Sequence, residues 1–368
     1  MRPDAGPAPV AAVSVTVRAG LETYEVRIGA GLLGRLGELC DRPATQALVV
    51  SDENVASWYL ERVMAGLEAA GMRSAAMVLP PGEQTKSPVV LAALYDRLYD
   101  LGAGRHDTVV ALGGGVIGDL AGYAAATFQR GLRLVQAPTT LLAMVDAAVG
   151  GKVAVDFREG KNYLGTFYQP ALVVEDPDAL ATLPEREVHS GWAEIVKHGL
   201  LAGGVTLALT EAGVADKARP DPRLLEADVR FKAAVVGRDP RETTGVRAML
   251  NFGHTVGHAI EVAGGFARYS HGEAVGLGLR AALWLSERLT GLDAAAAGRG
   301  QRLLSAAGLP ERLTGVAAAD VARLIGRDKK AAAGAARFVL LEEVGRPATG
   351  VVVPPELQSE VVAWLIGR

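Results

Sequence analysis

Three of the chain's six histidines, His254, His258 and His271, fall within eighteen residues in the run NFGHTVGHAIEVAGGFARYSHGEA. An even spread would put about 0.3 histidines in such a window, from 6 × 18/368, so the cluster suggests a divalent-metal site. Helical spacing of apolar residues predicts one helix over 246–263, with His254 and His258 a turn apart on one face. Either could be a ligand or a hydrogen-bonded core residue. Sixty residues before His254, Glu194 lies in SGWAEIVKHG among Trp192, Ile195 and Val196. An acid in such a partly buried helix needs an answering charge. His271 opens the helical pattern HGEAVGLGLR, where it could cap the helix end or ligate. Glu194 with two of the three histidines would make the two-imidazole, one-carboxylate set of a catalytic zinc-type ion, leaving a position for a substrate oxygen.

Basic residues recur in apolar or glycine-rich settings: Arg130 in TFQRG, Lys152 in VGGKVAV, Lys161 in GKNYLG, Lys197, Lys232 and Arg247. Each alone could be solvated. Lys152 follows a glycine pair, and Lys161 with Asn162 is expected at a turn, so together they suit a multiply charged anion such as a phosphorylated sugar acid.

A nucleotide signal lies upstream. The strand DTVVAL runs into GGGVIGDLAG, where Gly113, Gly115 and Gly118 satisfy G-x-G-x-x-G ahead of a helix. Glycines there let backbone N–H groups approach a pyrophosphate. Two features are wrong for an ordinary dinucleotide unit: this is the third strand-and-helix pair, and no acid follows at the spacing that would hold a ribose hydroxyl. Asp52 ends ALVVSD, and Glu83 and Lys86 lie in PPGEQTK, all at carboxyl ends of strands, where open α/β sheets bind ligands. Asp52 could equally cap the helix beginning near Val55, and Thr139 and Thr140, after Pro138, could cap the next.

The elements that must carry these groups read as two domains, 1–183 and 184–368. The first alternates β-branched runs with helical patterns, ending in TTLLAMVDAAVGG, and predicts a mainly parallel sheet covered by helices. The second is mainly helical, at 185–201, 222–237, 246–263, 271–290 and 294–307, with short strands ARFVLLE and GVVVP before a closing helix from Pro355. Lysine and arginine number 38 against 41 acids, without a polybasic stripe, which argues against nucleic acid or an anionic membrane as partner. Cys40 is the only cysteine, so no internal disulfide or cysteine-rich metal site can form. With no secretory signal and no apolar window long enough to span a bilayer, the expected location is cytoplasmic.

The strings GGGVIGDLAGYAAATFQRG, QAPTTLLAMVDAAVGGKVAV, GKNYLGTFYQP, SGWAEIVKHG, LNFGHTVGHAIE and HGEAVGLGL, in this order and spacing, closely resemble the 3-dehydroquinate synthases of the sugar phosphate cyclase family. The resemblance runs from about Val13 to the terminal helix. It implies an N-terminal NAD-binding α/β domain of nonstandard Rossmann type, related to glycerol dehydrogenase-like enzymes, and a helical metal-binding domain, in a homodimer. It implies that Glu194, His254 and His271 bind zinc or cobalt, with His258 on the substrate side. NAD contacts carry over to Asp52, Glu83, Lys86, Gly114, Gly115, Val116, Ile117, Gly118, Asp119, Thr139, Thr140 and Thr182, with Asp146, Lys152, Lys161 and Asn162 at the junction of cofactor and substrate. Substrate contacts carry over to Arg130, Lys197, Lys232, Arg247, Asn251, His258 and a lysine of RDKK, Lys329 ahead of Lys330. The implied reaction takes 3-deoxy-D-arabino-heptulosonate 7-phosphate to 3-dehydroquinate and phosphate by transient oxidation, phosphate elimination, re-reduction and aldol closure. An aminodehydroquinate synthase or another cyclase of secondary metabolism is the nearest alternative, and an NAD- and metal-dependent alcohol dehydrogenase the next. His189, Trp192 and His198, beside the ligand acid, depart from the expected pattern.

Overall fold

The structure, a computed structural model, describes residues 12–40, 45–158, 160–326 and 336–367. The chain divides into two compact units, Met1–Leu183 and Pro184–Arg368.

In the first unit, β1 (Val13–Ala19) and β2 (Glu22–Ile28) form an antiparallel hairpin, followed by a short turn of helix, α1 (Leu36–Leu39). Strand and helix then alternate: β3 (Gln46–Asp52), α2 (Glu53–Ala69), β4 (Arg73–Leu79), α3 (Pro88–Asp100), β5 (Thr108–Gly113), α4 (Gly115–Thr127) and β6 (Arg133–Pro138). β7 (Lys152–Phe157) pairs antiparallel with β8 (Gly160–Phe167) as a separate ribbon, and β9 (Leu172–Glu175) rejoins the main sheet. The main sheet runs β1-β2-β9-β6-β5-β3-β4 and is parallel at every pairing except β1 with β2. β5 is buried along its whole length, as expected of a central parallel strand covered on both faces.

Two expectations change here. TTLLAMVDAAVGG forms a short helix over 141–147 that widens to π geometry at Ala143–Ala147, and Gly150 and Gly151, both at positive φ, redirect the chain into β7. Lys161 and Asn162 lie in β8 just past the hairpin turn, not within it. Asn162 adopts φ 57° there, a left-handed backbone that asparagine tolerates better than most residues.

The second unit contains α5 (Glu185–Ala202), α6 (Gly204–Gly213), α7 (Pro222–Arg238), α8 (His254–Ala263), α9 (His271–Leu289), α10 (Ala294–Ala306) and α11 (Ala318–Ile325). An antiparallel pair, β10 (Arg337–Glu343) and β11 (Arg346–Val352), precedes the closing α12 (Pro355–Gly367). The continuous helix expected over 246–263 is broken. A tight turn at Val246–Asn251 ends before Gly253, whose φ of 81° starts α8 afresh at His254. Glycine is required there by a tertiary contact: a Cβ on Gly253 would lie 2.8 Å from the Leu279 side chain on α9. Opposite it, a Cβ on Gly278 would lie 1.9 Å from the Gly253 carbonyl oxygen and 2.8 Å from the Gly257 nitrogen. The start of α9 is just as close to α5, since a Cβ on Gly272 would meet the Ser190 backbone at 2.3 Å. These glycines let the three helices that bear Glu194, His254 and His271 approach backbone to backbone.

Candidate functional site

In the first unit the residues singled out gather at the carboxyl ends of neighbouring parallel strands. Asp52 ends β3, Glu83 and Lys86 follow β4, Gly114–Asp119 follow β5, and Thr139 and Thr140 follow β6. Asp52 does cap α2: its Oδ1 accepts the N–H groups of Asn54 (2.9 Å) and Val55 (3.1 Å). Thr140 likewise accepts from Ala143 N–H at 3.1 Å. Thr139 is different, because its Oγ1 is buried with no hydrogen-bond partner among the described residues. α4 starts at Gly115 without a side-chain cap, so its first-turn N–H groups, at the positive end of the helix, are not answered by a side chain.

Lys86, which reads in sequence as a surface charge, is buried. Its ammonium lies 2.5 Å from Asp119 Oδ2 and against Asn162 Oδ1, while Asn162 N–H donates to Asp156 at 2.8 Å. Burial pushes the Asp119 carboxyl up despite Lys86. Lys161 Nζ faces Glu83 Oε1 at 3.8 Å. Thr182 exchanges a 2.7 Å hydrogen bond with the Tyr59 hydroxyl. Lys152 is exposed at the start of β7, and Asp146 sits in the short helix before it. Arg130 is exposed in the left-handed turn after α4 (φ 63°), at the opposite end of that helix from the glycine loop. Thirteen residues of helix span about 20 Å, so the two are not brought together within the unit.

The second unit brings its candidate ligands together. Glu194, in the middle of α5, is fully buried rather than partly so. Its Oε1 lies 3.7 Å from His254 Nε2 and 3.9 Å from His271 Nε2, and one ligand atom from each residue falls within 4.8 Å of the others. Ligands about 2.1 Å from a tetrahedral ion stand about 3.4 Å apart, so the two separations from Glu194 need to close by only a few tenths of an ångström around a divalent cation. Glu194 Oε1 has no hydrogen-bond partner among the described residues. The Lys197 ammonium is in ion-pair contact with Oε2, without hydrogen-bond alignment. Burial, then the nearby Lys197, His271 and His258, holds His254 well below the ordinary histidine range. Its ring therefore keeps a lone pair for a cation. The end-cap reading of His271 does not hold, because Ser270 caps α9 in a reciprocal pair with Glu273.

His258 is exposed one turn beyond His254, their rings 5.2 Å apart edge to face. Lys197, Lys232 and Arg247 are all buried, contrary to the solvated reading of each taken singly. Arg247 Nε faces Glu242 at 3.4 Å. Asn251 is half-buried at the end of the turn before Gly253. Lys329 and Lys330 lie outside the described residues.

Trp192 proves to be packing: it is fully buried, and its indole N–H donates to the Lys217 carbonyl at 3.0 Å. Asp228, as the partner of His198, and Glu261 escaped the sequence reading. His198 Nδ1 pairs with Asp228 at 2.9 Å, with neither residue exposed. Burial, and then the charge of Glu194, push Asp228 well above the ordinary carboxylate range against the pull of Lys197. Glu261, buried on α8, faces His271 Nδ1 at 3.4 Å. The only available signal for it was spacing, since it lies two helical turns after His254 on the same face.

A family model described as 3-dehydroquinate synthase N-terminal matches residues 76–190, and one described as 3-dehydroquinate synthase C-terminal matches 191–331. A 3-dehydroquinate synthase of Symbiobacterium thermophilum is 45% identical over 357 residues, covering 94% of this chain and 97% of that protein. Among solved structures, a 2-deoxy-scyllo-inosose synthase complexed with carbaglucose-6-phosphate, NAD+ and Co2+ superposes with a TM-score of 0.87 at 26% identity, over 96% of this chain and all of that one. A 2-epi-5-epi-valiolone synthase from Streptomyces hygroscopicus subsp. jinggangensis with NAD+ and Zn2+ bound gives a TM-score of 0.84 at 26% identity, over 93% of this chain and 96% of that one.

Proposed function

Because the chain belongs to the 3-dehydroquinate synthase family, we propose that it converts 3-deoxy-D-arabino-heptulosonate 7-phosphate to 3-dehydroquinate and phosphate, with NAD and one divalent cation, zinc or cobalt, as cofactors. The observation that carries this reading is Glu194 Oε1, a sealed carboxylate oxygen without a hydrogen-bond partner, set between two imidazole nitrogens. Lys197 answers only the other oxygen of this carboxylate, and Oε1 is costly to bury unless a further cation answers it. Glu194, His254 and His271 would hold that cation, with exposed His258 left for the substrate. Asp52, Glu83, Lys86, the loop Gly114–Asp119, Thr139, Thr140 and Thr182 would hold NAD, and the buried Thr139 hydroxyl supports this by needing a partner.

When bound, NAD supplies a reversible hydride acceptor and the cation a Lewis acid for a carbinol oxygen. The chain's own part is mainly to grip a flexible, multiply charged anion. Lys197, Lys232 and Arg247 are buried cations, and out of water their attraction for phosphate and carboxylate is strengthened. His254, kept unprotonated, adds no competing positive charge. The elimination step moves a proton from a carbon next to a carbonyl, and the departing phosphate's own oxygens can accept it. The three buried cations Lys197, Lys232 and Arg247 fit that division of labour. Aldol closure then depends on holding the opened substrate in one register.

Protein supplied with NAD and zinc or cobalt should release phosphate from the heptulosonate without net accumulation of NADH. Accumulating NADH would instead indicate a simple alcohol dehydrogenase, and preference for the amino analogue an aminodehydroquinate synthase. Absence of phosphate release at every cation loading would refute the assignment. The working form is proposed to be a homodimer, a reading supported by the exposed Tyr163 and Leu164 on β8 and checked by sedimentation velocity.

A further inference from the structure

The two imidazoles that face Glu194 are backed differently. His254 Nδ1 lies 3.2 Å from the Phe252 carbonyl oxygen, a backbone acceptor fixed by the turn before α8. His271 Nδ1 lies 3.4 Å from Glu261 Oε1, and Glu261 is only 6% exposed. His271 is itself about one-third exposed, so packing alone does not hold its ring as it holds the buried Glu194.

We infer that Glu261 is a positioning residue for the cation site, accepting the Nδ1 proton of His271 so that the Nε2 lone pair stays turned toward Glu194. An acceptor behind Nδ1 selects the tautomer with its proton there, and the ring can then ligate only through Nε2. The carboxylate also polarises the imidazole and makes it a stronger donor to a cation, which a carbonyl does less. The arrangement is directional, because α8 carries both His254 and Glu261 on one face and so sets the second imidazole of the site as well as the first. Packing against His258 is the competing role: His258 is one turn from Glu261, and ligand atoms of His258, Glu261 and His271 fall within 4.8 Å of one another.

This inference rests on the cation reading, and the test separates the two. Zinc affinity is measured by chelator competition on wild type, Glu261→Gln, Glu261→Ala and Glu194→Ala, with thermal unfolding of each protein in excess chelator. Loss of an outer partner of a ligating histidine lowers metal affinity by about 10- to 100-fold. That loss is expected for Glu261→Ala, with Glu261→Gln in between because its amide oxygen still accepts from Nδ1, and with chelated proteins of similar stability. Nitrogen-15 shifts of His271 in the chelated protein should report the Nδ1–H tautomer in wild type and a mixture in Glu261→Ala. Wild type that binds zinc no better than Glu194→Ala overturns the cation reading itself. Tight wild-type binding with unchanged Glu261→Ala affinity, or a loss matched by an equal fall in chelated-state stability, overturns the role given to Glu261.

Discussion

Gly278→Ala should damage the cation site without touching any ligand. The added Cβ would stand 1.9 Å from the Gly253 carbonyl oxygen. Carbon and oxygen in tight contact need about 3.2 Å, so α8 and α9 must separate locally by about 1.3 Å. Gly253 cannot swing aside as a side chain would, because its own Cβ position is closed off by Leu279 at 2.8 Å. Overpacking of this kind costs about 1–3 kcal/mol, and alanine's better helix propensity returns about 0.5–1 kcal/mol. A net loss of about 1–2 kcal/mol is expected, or about 2–8 °C in Tm for a unit of this size. Zinc affinity should fall further than stability does. His254 opens α8 and His271 opens α9, and metal–ligand distances tolerate only about 0.2 Å of error. The assay is thermal unfolding with and without zinc, beside Gly298→Ala on α10, whose Cβ would meet only the mobile end of Arg302 at 3.3 Å. That control should be neutral or slightly stabilised. If Gly278→Ala keeps both wild-type stability and wild-type zinc affinity, the claim that helix approach sets the ligand spacing is wrong.

Asp228→Ala should cost about 1–3 kcal/mol by urea unfolding, because it removes the buried 2.9 Å partner of His198, whereas Asp228→Asn keeps an acceptor and should cost clearly less. Equal losses for the two would remove the hydrogen bond as the cause. Asp239 gives a pH signature. Burial would raise its carboxyl, but the N–H groups of Thr244, Arg247 and Thr243 outweigh that and hold it at about 2, below the ordinary 3.8. A depressed carboxyl stabilises the fold fully above its ordinary range and loses that contribution as pH falls through about 2. The gap in urea midpoint between wild type and Asp239→Asn should therefore be constant near neutrality and narrow between pH 4 and pH 2. A gap that persists unchanged at the acid end would contradict this.

Much of the architecture could be read from residue patterns because the patterns were local. The runs that became β3, β4, β5 and β6 are short, β-branched and bounded by helical periodicity, and the strand-end position of Asp52, Lys86 and Thr139 followed from them. Glu194 stood out as an acid among apolar neighbours, and His254 and His258 as a pair one turn apart. What escaped depended on distant partners. Glycine is required at the break, at position 253, by the close approach of Leu279, which no helical count over 246–263 reveals. β8 reads GKNYLGTF and is almost wholly exposed, so it lacks the alternation that announces a strand. Lys86 looked solvated because the acid that buries it, Asp119, is 33 residues away, and His198 and Asp228 meet across 30 residues.

The ion pair between Lys197 and Glu194 gives the buried carboxylate a counter-charge from its own helix. A sealed carboxylate whose only counter-charge came from outside would oblige the helices to assemble around that ion. Here the same helix carries a permanent stand-in one turn away, so half of the charge problem is solved by the chain itself. Lys197 therefore offsets part of the charge buried on Glu194 whether or not a cation is bound.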